Sequence, residues 1–305
     1  MTASLVNQCL VGIADDGTAI GSFTNAFEVE SCSVRKEGII LDSSGIRGTR
    51  AHVSDRSRNG GYSVVGDVVC HPSPALLDIL LPYILGATES TDTFALGETL
   101  DSFEFALLVN YGPKRILYDD CKVARAVFKS SEGGHLELTM SVIGKTATTS
   151  ATAFPSITIP NDAHDLPFLH SDVAVSIAGV GSRVVNSFEL TIDNGLRARF
   201  ANSLTATDIL ETDRIISAKC SIPYTSSPDA TDLYEMAVAG VAASWTFTNA
   251  DSTGLILTFT AGRYQVPPVG PTLSSRTDEV VLELDGMLRK VDTTGELTIT
   301  NDSVA

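Results

Sequence analysis

Apolar and polar residues alternate with period two along most of this chain, the spacing of half-buried β-strands. "FEFALLV" (Phe103 to Val109), "KVARAVF" (Lys122 to Phe128), "HLELTMSVIGK" (His135 to Lys145), "ASWTFTN" (Ala243 to Asn249), "LILTFTAG" (Leu255 to Gly262) and "VVLELDGMLRK" (Val280 to Lys290) all follow it. Two stretches break the alternation and predict short helices: "SPALLDILLPYILG" and "SPDATDLYEMAVAG". Ser73-Pro74 and Ser227-Pro228 supply an N-cap and a Pro at the first helical position, and Gly86 and Gly240 supply C-caps.

The landmarks come in two ordered sets. "NAFEV" at Asn25 is echoed by "NSFEL" at Asn186. Apolar strands "GYSVVGDVVCHP" (Gly61 to Pro72) and "RIISAKCSIPY" (Arg214 to Tyr224) each place a Cys shortly before a Pro. A helical stretch follows each, and Leu-Glu-Leu recurs at 136–138 and 282–284. Order is kept while the offset between matched landmarks shrinks, the signature of one unit written twice with loop deletions in the second copy. Residues 151–170, with Pro155, Pro160 and Pro167, read as a linker between a first domain over 1–150 and a second over 171–305. The expected class is mainly β: two tandem sandwich-like or barrel-like domains, each with one short flanking α-helix.

The formal charge of −16, from 37 acidic and 21 basic side chains, removes the basic nucleic-acid readers from consideration. Five cysteines, odd in number and without a CxxC pair, argue against a disulfide framework. The opening "MTASLVNQCLVGIADD" has no positively charged n-region, so standard export is not expected. The longest apolar run, Pro74 to Ala87, holds Asp78 and Pro82 and is too short to cross a bilayer.

Catalytic signatures are absent: there is no Walker loop, GxSxG or HExxH, and "GVGSRV" at Gly179 lacks the third Gly and the helix of a dinucleotide loop. Adjacent Cys70 and His71 are expected on opposite strand faces, one buried and one exposed. His164/Asp165 with His170/Asp172 form the only linker cluster with ligand or acid–base chemistry, and Asp119-Asp120 reads as a turn and strand start. No cofactor, metal or catalytic residue is expected. One Trp, Trp245, is too few for the aromatic platforms of a carbohydrate-active enzyme.

"RKEGIILDSSGIRGTRAHVSDRSRNGG" (Arg35 to Gly61) stands apart, with Arg35, Lys36, Arg47, Arg50, Arg56 and Arg58 in an otherwise acidic protein. It is too long for an ordinary connection. A solvated loop, a protein-interaction arm for an acidic neighbour, and a nucleic-acid contact are the three readings; the last lacks interleaved aromatics.

"SGIRGTR" with the following "GYSVVGDVVCHPSPALLDILLPYILG", "GGHLELTMSVIGK", "NSFELTIDNGLRARF" and the closing "ELTITN" resemble the tail tube proteins of long-tailed bacteriophages, in the form with two tandem tube domains. The resemblance implies a structural virion protein, not an enzyme, whose rings stack into the conduit for genomic DNA. It implies two packed sheets per domain, inner sheets joined into a continuous barrel, and a long loop reaching the adjacent ring. That role falls to Arg35, Lys36, Arg47, Arg50, Arg56 and Arg58; the counterpart at Gly195 to Arg214 is shorter and more acidic. Two tube domains per chain imply a homotrimeric, pseudo-hexameric ring. The further implied partners are the tape measure protein, tail terminator and baseplate proteins, with DNA passing an acidic lumen without specific binding. Assembly in the host cytoplasm and residence in the virion tail, without membrane contact, follow from the same resemblance. Alternatives are a baseplate hub or tail-end ring protein of related fold, and a surface β-sandwich adhesin.

Overall fold

The computed structural model describes residues 10–42, 57–157, 166–178, 181–224, 240–249, 255–267, 280–291 and 295–302. The first half carries β1 (Leu10–Asp15), β2 (Asn25–Phe27), β3 (Ser31–Cys32), β4 (Arg35–Asp42), β5 (Ser57–Cys70), helix α1 (Pro74–Leu85), β6 (Thr93–Ala95), β7 (Phe105–Asn110), β8 (Arg115–Ser131) and β9 (Glu137–Ser150). The second carries β10 (Val173–Ile177), β11 (Gly181–Arg183), β12 (Ser187–Asp193), β13 (Leu196–Arg199), β14 (Asp208–Glu211), β15 (Ile215–Pro223), β16 (Val241–Thr248), β17 (Ile256–Gln265), β18 (Val281–Arg289) and β19 (Leu297–Asp302). The fold is mainly β and sandwich-like, and the described strands do not close into a barrel.

Helix α1 is set by its ends. Ser73 accepts a hydrogen bond from the Leu76 N–H (3.2 Å), Pro74 opens the helix, and Gly86 closes it at φ 70°, donating to Pro82 O. The helix expected at 227–240 lies outside the described residues apart from Gly240, which has the positive φ of a C-cap (80°).

The repeat is visible in strand pairing. In the first half β1 pairs β7, β7 pairs β8, β8 pairs β9, β9 pairs β5 and β5 pairs β3. In the second half β10 pairs β16, β16 pairs β17, β17 pairs β18, β18 pairs β15 and β15 pairs β12. Even register is kept: Cys70 sits opposite Leu138 and Cys220 opposite Leu284, the second Leu of each Leu-Glu-Leu. The Phe-Glu echo is displaced from this match. Phe27 lies on β2, opposite Val11 of β1, whereas Phe188 lies on β12, opposite Cys220 of β15. β1 has its partner in Asn25–Phe27, while β10 pairs earlier residues, Gly181–Arg183, which frees "NSFEL" for the other sheet.

The halves interlock. β12 pairs β8 from Ser187↔Ser131 to Asp193↔Arg125, and β6 adds to the edge of β19. A through-sheet thus runs β4–β5–β9–β8–β12–β15–β18 across both halves. One buried cluster spans them, with Phe128 and Phe188 of the through-sheet against Phe259, Phe247 and Trp245 of the second layer. Trp245 is fully buried there and is no platform for a sugar. Buried Asn194 donates to Ile84 O and Val123 O, and buried Asn301 donates to Pro74 O and Asp78, so side chains from the second half tie down α1. The described part of the linker forms no strand; its Phe154 and Ile157 cover Phe23, Ala106 and Leu108.

Candidate assembly surfaces

The basic stretch starts and ends as a β-ribbon. β4 pairs the first part of β5, and every residue of β4 is exposed. Arg35, Lys36 and Arg58 are in it, while Arg47, Arg50 and Arg56 lie outside the described residues. Arg35 is 3.5 Å from Glu37, and the Lys36 ammonium sits 3.5 Å over the Tyr62 ring, so both cations are engaged within the ribbon. Its exposed content includes three large apolar residues: Ile39, Ile40 and Leu41 are 64%, 73% and 59% accessible. Leu41 lies over Gly60, where a Cβ would fall 2.7 Å from its Cγ. At the ribbon's base, Tyr62 N–H donates to Leu204 O (2.8 Å). Leu204 follows β13 in the shorter counterpart, where β13 and β14 form their own hairpin.

The exposed face of the through-sheet carries an ordered pattern that sequence reading missed. Strand registers put Glu137 beside Lys129, Lys129 beside Glu189, Glu189 beside Lys219 and Lys219 beside Asp285. Opposite neighbours share a face in a sheet, so these residues make one row of strictly alternating charge across β9, β8, β12, β15 and β18. The Lys219 ammonium is 3.0 Å from Asp285, whose hydrogen bond and charge, with Glu189 adding, hold its pKa above the ordinary value. The next row is uncharged: Val69, Thr139, Val127, Thr191, Ser217 and Met287.

Where β12 meets β8, the second edge of its ladder is occupied. Among the described residues the corresponding stretch around β3 pairs only β5, through Ser31↔Val69, Cys32↔Val68 and the Glu30 and Ser33 N–H groups. Glu28, Glu30, Ser31 and Ser33 are exposed, an edge that no other described strand covers.

The chemical candidates resolve into structural roles. His170 is buried, bonded to Ser130 Oγ (2.9 Å) and Val185 O (2.8 Å). An Nε2–H donating to Val185 O leaves Nδ1 to accept from Ser130, so the imidazole pins the interhalf joint. Asp172 accepts from Leu169 N–H; His164 and Asp165 lie outside the described residues. Asp119 and Asp120 are not a turn before a strand but a kink inside β8, with Asp120 at φ 51°. Burial, then Asp16 and Asp120, push the Asp119 carboxyl up, while Lys145 pairs Asp120 (3.0 Å) and Glu104 (3.4 Å). Cys70 is buried, its thiol pushed up to about 12 by burial and then Glu137, and His71 points outward as expected. His71 stacks on His135 (4.9 Å between centroids), and its donor atoms lie within 4.8 Å of those of Glu30 and Glu137. Those three could hold a cation; without one, His71 lies 3.7 Å from Glu30, and Glu137 sits beside Lys129 across the strands. Asn301, which opens an Asn-Asp-Ser glycosylation triplet in the sequence, is fully buried against α1 and closed to glycosylation.

A second cluster joins the halves. Lys122 is 1% exposed and reaches Asp101, Glu104 and, across the joint, Glu211 at 2.8 Å. Glu211 also accepts from the Leu100 N–H, and Arg214 donates to Gly97 O.

No curated protein matches the sequence. The family model described as phage tail tube protein matches residues 7–288. With the mainly β, sandwich-like fold and the sequence resemblance already described, that match covers nearly the whole chain: this protein belongs to the phage tail tube protein family, as a structural component of the virion tail.

Proposed function

We propose that three copies close into a ring of six tube-domain units, taken as residues 1–150 and 171–305, and that rings stack into the tail tube. The observation that carries this reading is the β8–β12 joint. Each half presents the same strand order, and one half is joined to the next along a seven-residue ladder from Ser187↔Ser131 to Asp193↔Arg125. The equivalent edge of the first half, Glu28 to Ser33, has no strand on it among the described residues. A neighbouring chain that repeats the joint there removes the open edge, and two units per chain then need three chains to complete six.

In this arrangement the exposed face of the through-sheet lines the lumen. Its charge alternates, so each lysine of the row is already flanked by carboxylates and has little to offer a phosphate, while no block of one sign spans the row. Genomic DNA passes without specific binding. The arm containing Arg35, Lys36, Arg47, Arg50, Arg56 and Arg58 reaches the adjacent ring. Tape measure protein inside, terminator and baseplate proteins at the ends, and assembly in the host cytoplasm complete the reading. Mass measurement of isolated rings together with averaged end-on electron micrographs tests it: three chains and six-fold density are expected. Six chains per ring overturns the trimer, and absence of stacked rings at high protein concentration overturns the tube.

A further inference from the structure

The row of alternating charge on the through-sheet does not stop at Glu137. The register Cys70↔Leu138, carried one residue further, sets His71 across from Glu137 on the same exposed face. Past His71, at the edge that no other described strand covers, stands Glu30, its carboxylate 3.7 Å from the imidazole. Inside the row, Glu189 lies between Lys129 and Lys219. Glu137 has a lysine, Lys129, on one side only; its other neighbour is an imidazole with a second carboxylate behind it. A cation held between Glu137 and Glu30 continues the alternation to the edge.

The donor atoms are close enough to share one ion. Those of Glu30, His71 and Glu137 all lie within 4.8 Å of one another. Ligand atoms about 2.0–2.2 Å from a tetrahedral ion are about 3.4 Å apart, so side-chain movements of roughly 1 Å close the site. Glu30 and His71 are exposed and have room for them. His71 stacks on His135, and both rings with Glu30 line a groove of about 490 Å³ beside α1, which opens the site to water and ions. The arrangement belongs to the first half and not to the repeated sheet pattern. At the matching register of the second half Glu283 faces Ser221 and Ser221 faces Ser187, with no imidazole in the row. The other close set among the described residues, Asp16, Glu104 and Asp120, offers carboxylates only and already faces Lys145.

We propose that Glu30, His71 and Glu137 bind one first-row divalent cation of the zinc class, which ties the edge strand β3 to β5 and β9. One imidazole nitrogen and two carboxylate oxygens suit zinc, which accepts both donor types and leaves a fourth position to water. Calcium and magnesium, which take oxygen ligands, gain little from the imidazole. Glu30 comes just before β3, His71 just after β5 and Glu137 at the start of β9, so the ion bridges the ends of three neighbouring strands. β3 is only two residues long, and a tie at its start reinforces a short ladder. The three ligands lie far apart in the chain, which leaves no ligand spacing to read in the sequence. The site is complete within one chain and does not depend on how many chains close a ring.

Equilibrium dialysis of the untagged full-length protein, stripped with a chelator and returned to zinc chloride, tests this. One zinc per chain is expected in the wild type. His71→Asn and Glu137→Gln should each weaken binding at least tenfold, while Asp16→Asn, in the other carboxylate set, leaves it unchanged. Calcium chloride in place of zinc should bind at least tenfold more weakly. Equal affinity in wild type and His71→Asn overturns the site, as does loss of binding in Asp16→Asn or calcium bound as tightly as zinc. Amide exchange in the wild type decides the tie without any variant. Zinc should slow exchange at least threefold at the Glu30 and Ser33 N–H groups, which donate to Val69 and Asp67. Zinc bound with exchange at both amides unchanged overturns the fastening of β3.

Discussion

Lys122 is the residue on which most of the interhalf electrostatics converge. Burial works to lower its pKa, but the hydrogen bonds it donates to Asp101 and Glu211, and their charges, outweigh it, and the net shift is upward. The folded chain therefore holds this proton more tightly than an unfolded lysine does. Its stabilisation is complete below about pH 10.4 and is lost as pH rises through the higher folded value. Asp101 has the opposite sign: its hydrogen bond to Lys122 holds it below the usual carboxylate range, so its contribution is present above about pH 3.9 and fades as pH falls through the folded value. Lys122→Met is expected to lower stability by the low end of the about 3–5 kcal/mol seen when a buried pair is broken, since Glu104 and Glu211 keep some contact with water. Urea midpoints taken across pH should fall less steeply above pH 10 in the variant than in wild type, with Lys145, Lys219 and buried thiols and phenols such as Cys70 and Tyr264, all held above their ordinary values, accounting for the slope that remains.

At the scale of elements, legibility in the sequence followed the range of the interaction. The α1 caps, Ser73 and Gly86, act within their own turn, and the sequence predicts both. The Cys-before-Pro strands and the Leu-Glu-Leu strands mark partners whose register the fold then repeats. Phe27 and Phe188 misled because identical words on two strands say nothing of which neighbour each strand chooses; β10 takes its hairpin partner earlier in the chain than β1 does. The site was less legible. The basic charges of the arm stand out in the sequence, yet its described ribbon also exposes Ile39, Ile40 and Leu41, and Arg35 and Lys36 make contacts within it. Glycine positions carry tertiary information of the same hidden kind. Gly66, at φ 152°, runs so close to the chain after β3 that a Cβ would lie 2.5 Å from Val34 Cα and 2.6 Å from Ser33 O. Those atoms are backbone and cannot rotate away. Gly66→Ala should push the Ser31–Val34 segment off β5 and cost about 2–3 kcal/mol. Its signature in hydrogen exchange is faster loss of protection at the Glu30 and Ser33 amides, which donate to Val69 and Asp67 in the native sheet.

At the scale of the whole molecule, net charge is a poor guide to the surface that matters. A formal charge of −16 suggests an acidic surface throughout, whereas the row Glu137, Lys129, Glu189, Lys219, Asp285, proposed above to line the lumen, is alternating and close to neutral. The excess carboxylates lie elsewhere, for example around Asp16, Asp119 and Asp120 at the kink of β8. Alternation has a consequence that uniform acidity does not: removing carboxylates from the row unmasks cations already in place. Glu137→Gln with Glu189→Gln leaves Lys129 without either of its cross-strand acidic neighbours, while Lys219 keeps Asp285. Assembled tubes of this double variant should retain short double-stranded DNA at low salt where wild-type tubes retain none. Each freed lysine that meets a phosphate adds about −0.9 to the slope of log affinity against log salt, so retention should vanish near physiological ionic strength. In the proposed three-chain ring the row, which crosses both halves of a chain, would recur three times per ring and again in every stacked ring, multiplying the effect on a threaded duplex. Filter retention across a salt series reads it directly, and DNA retention indistinguishable from wild type would mean that the row does not face the passing duplex.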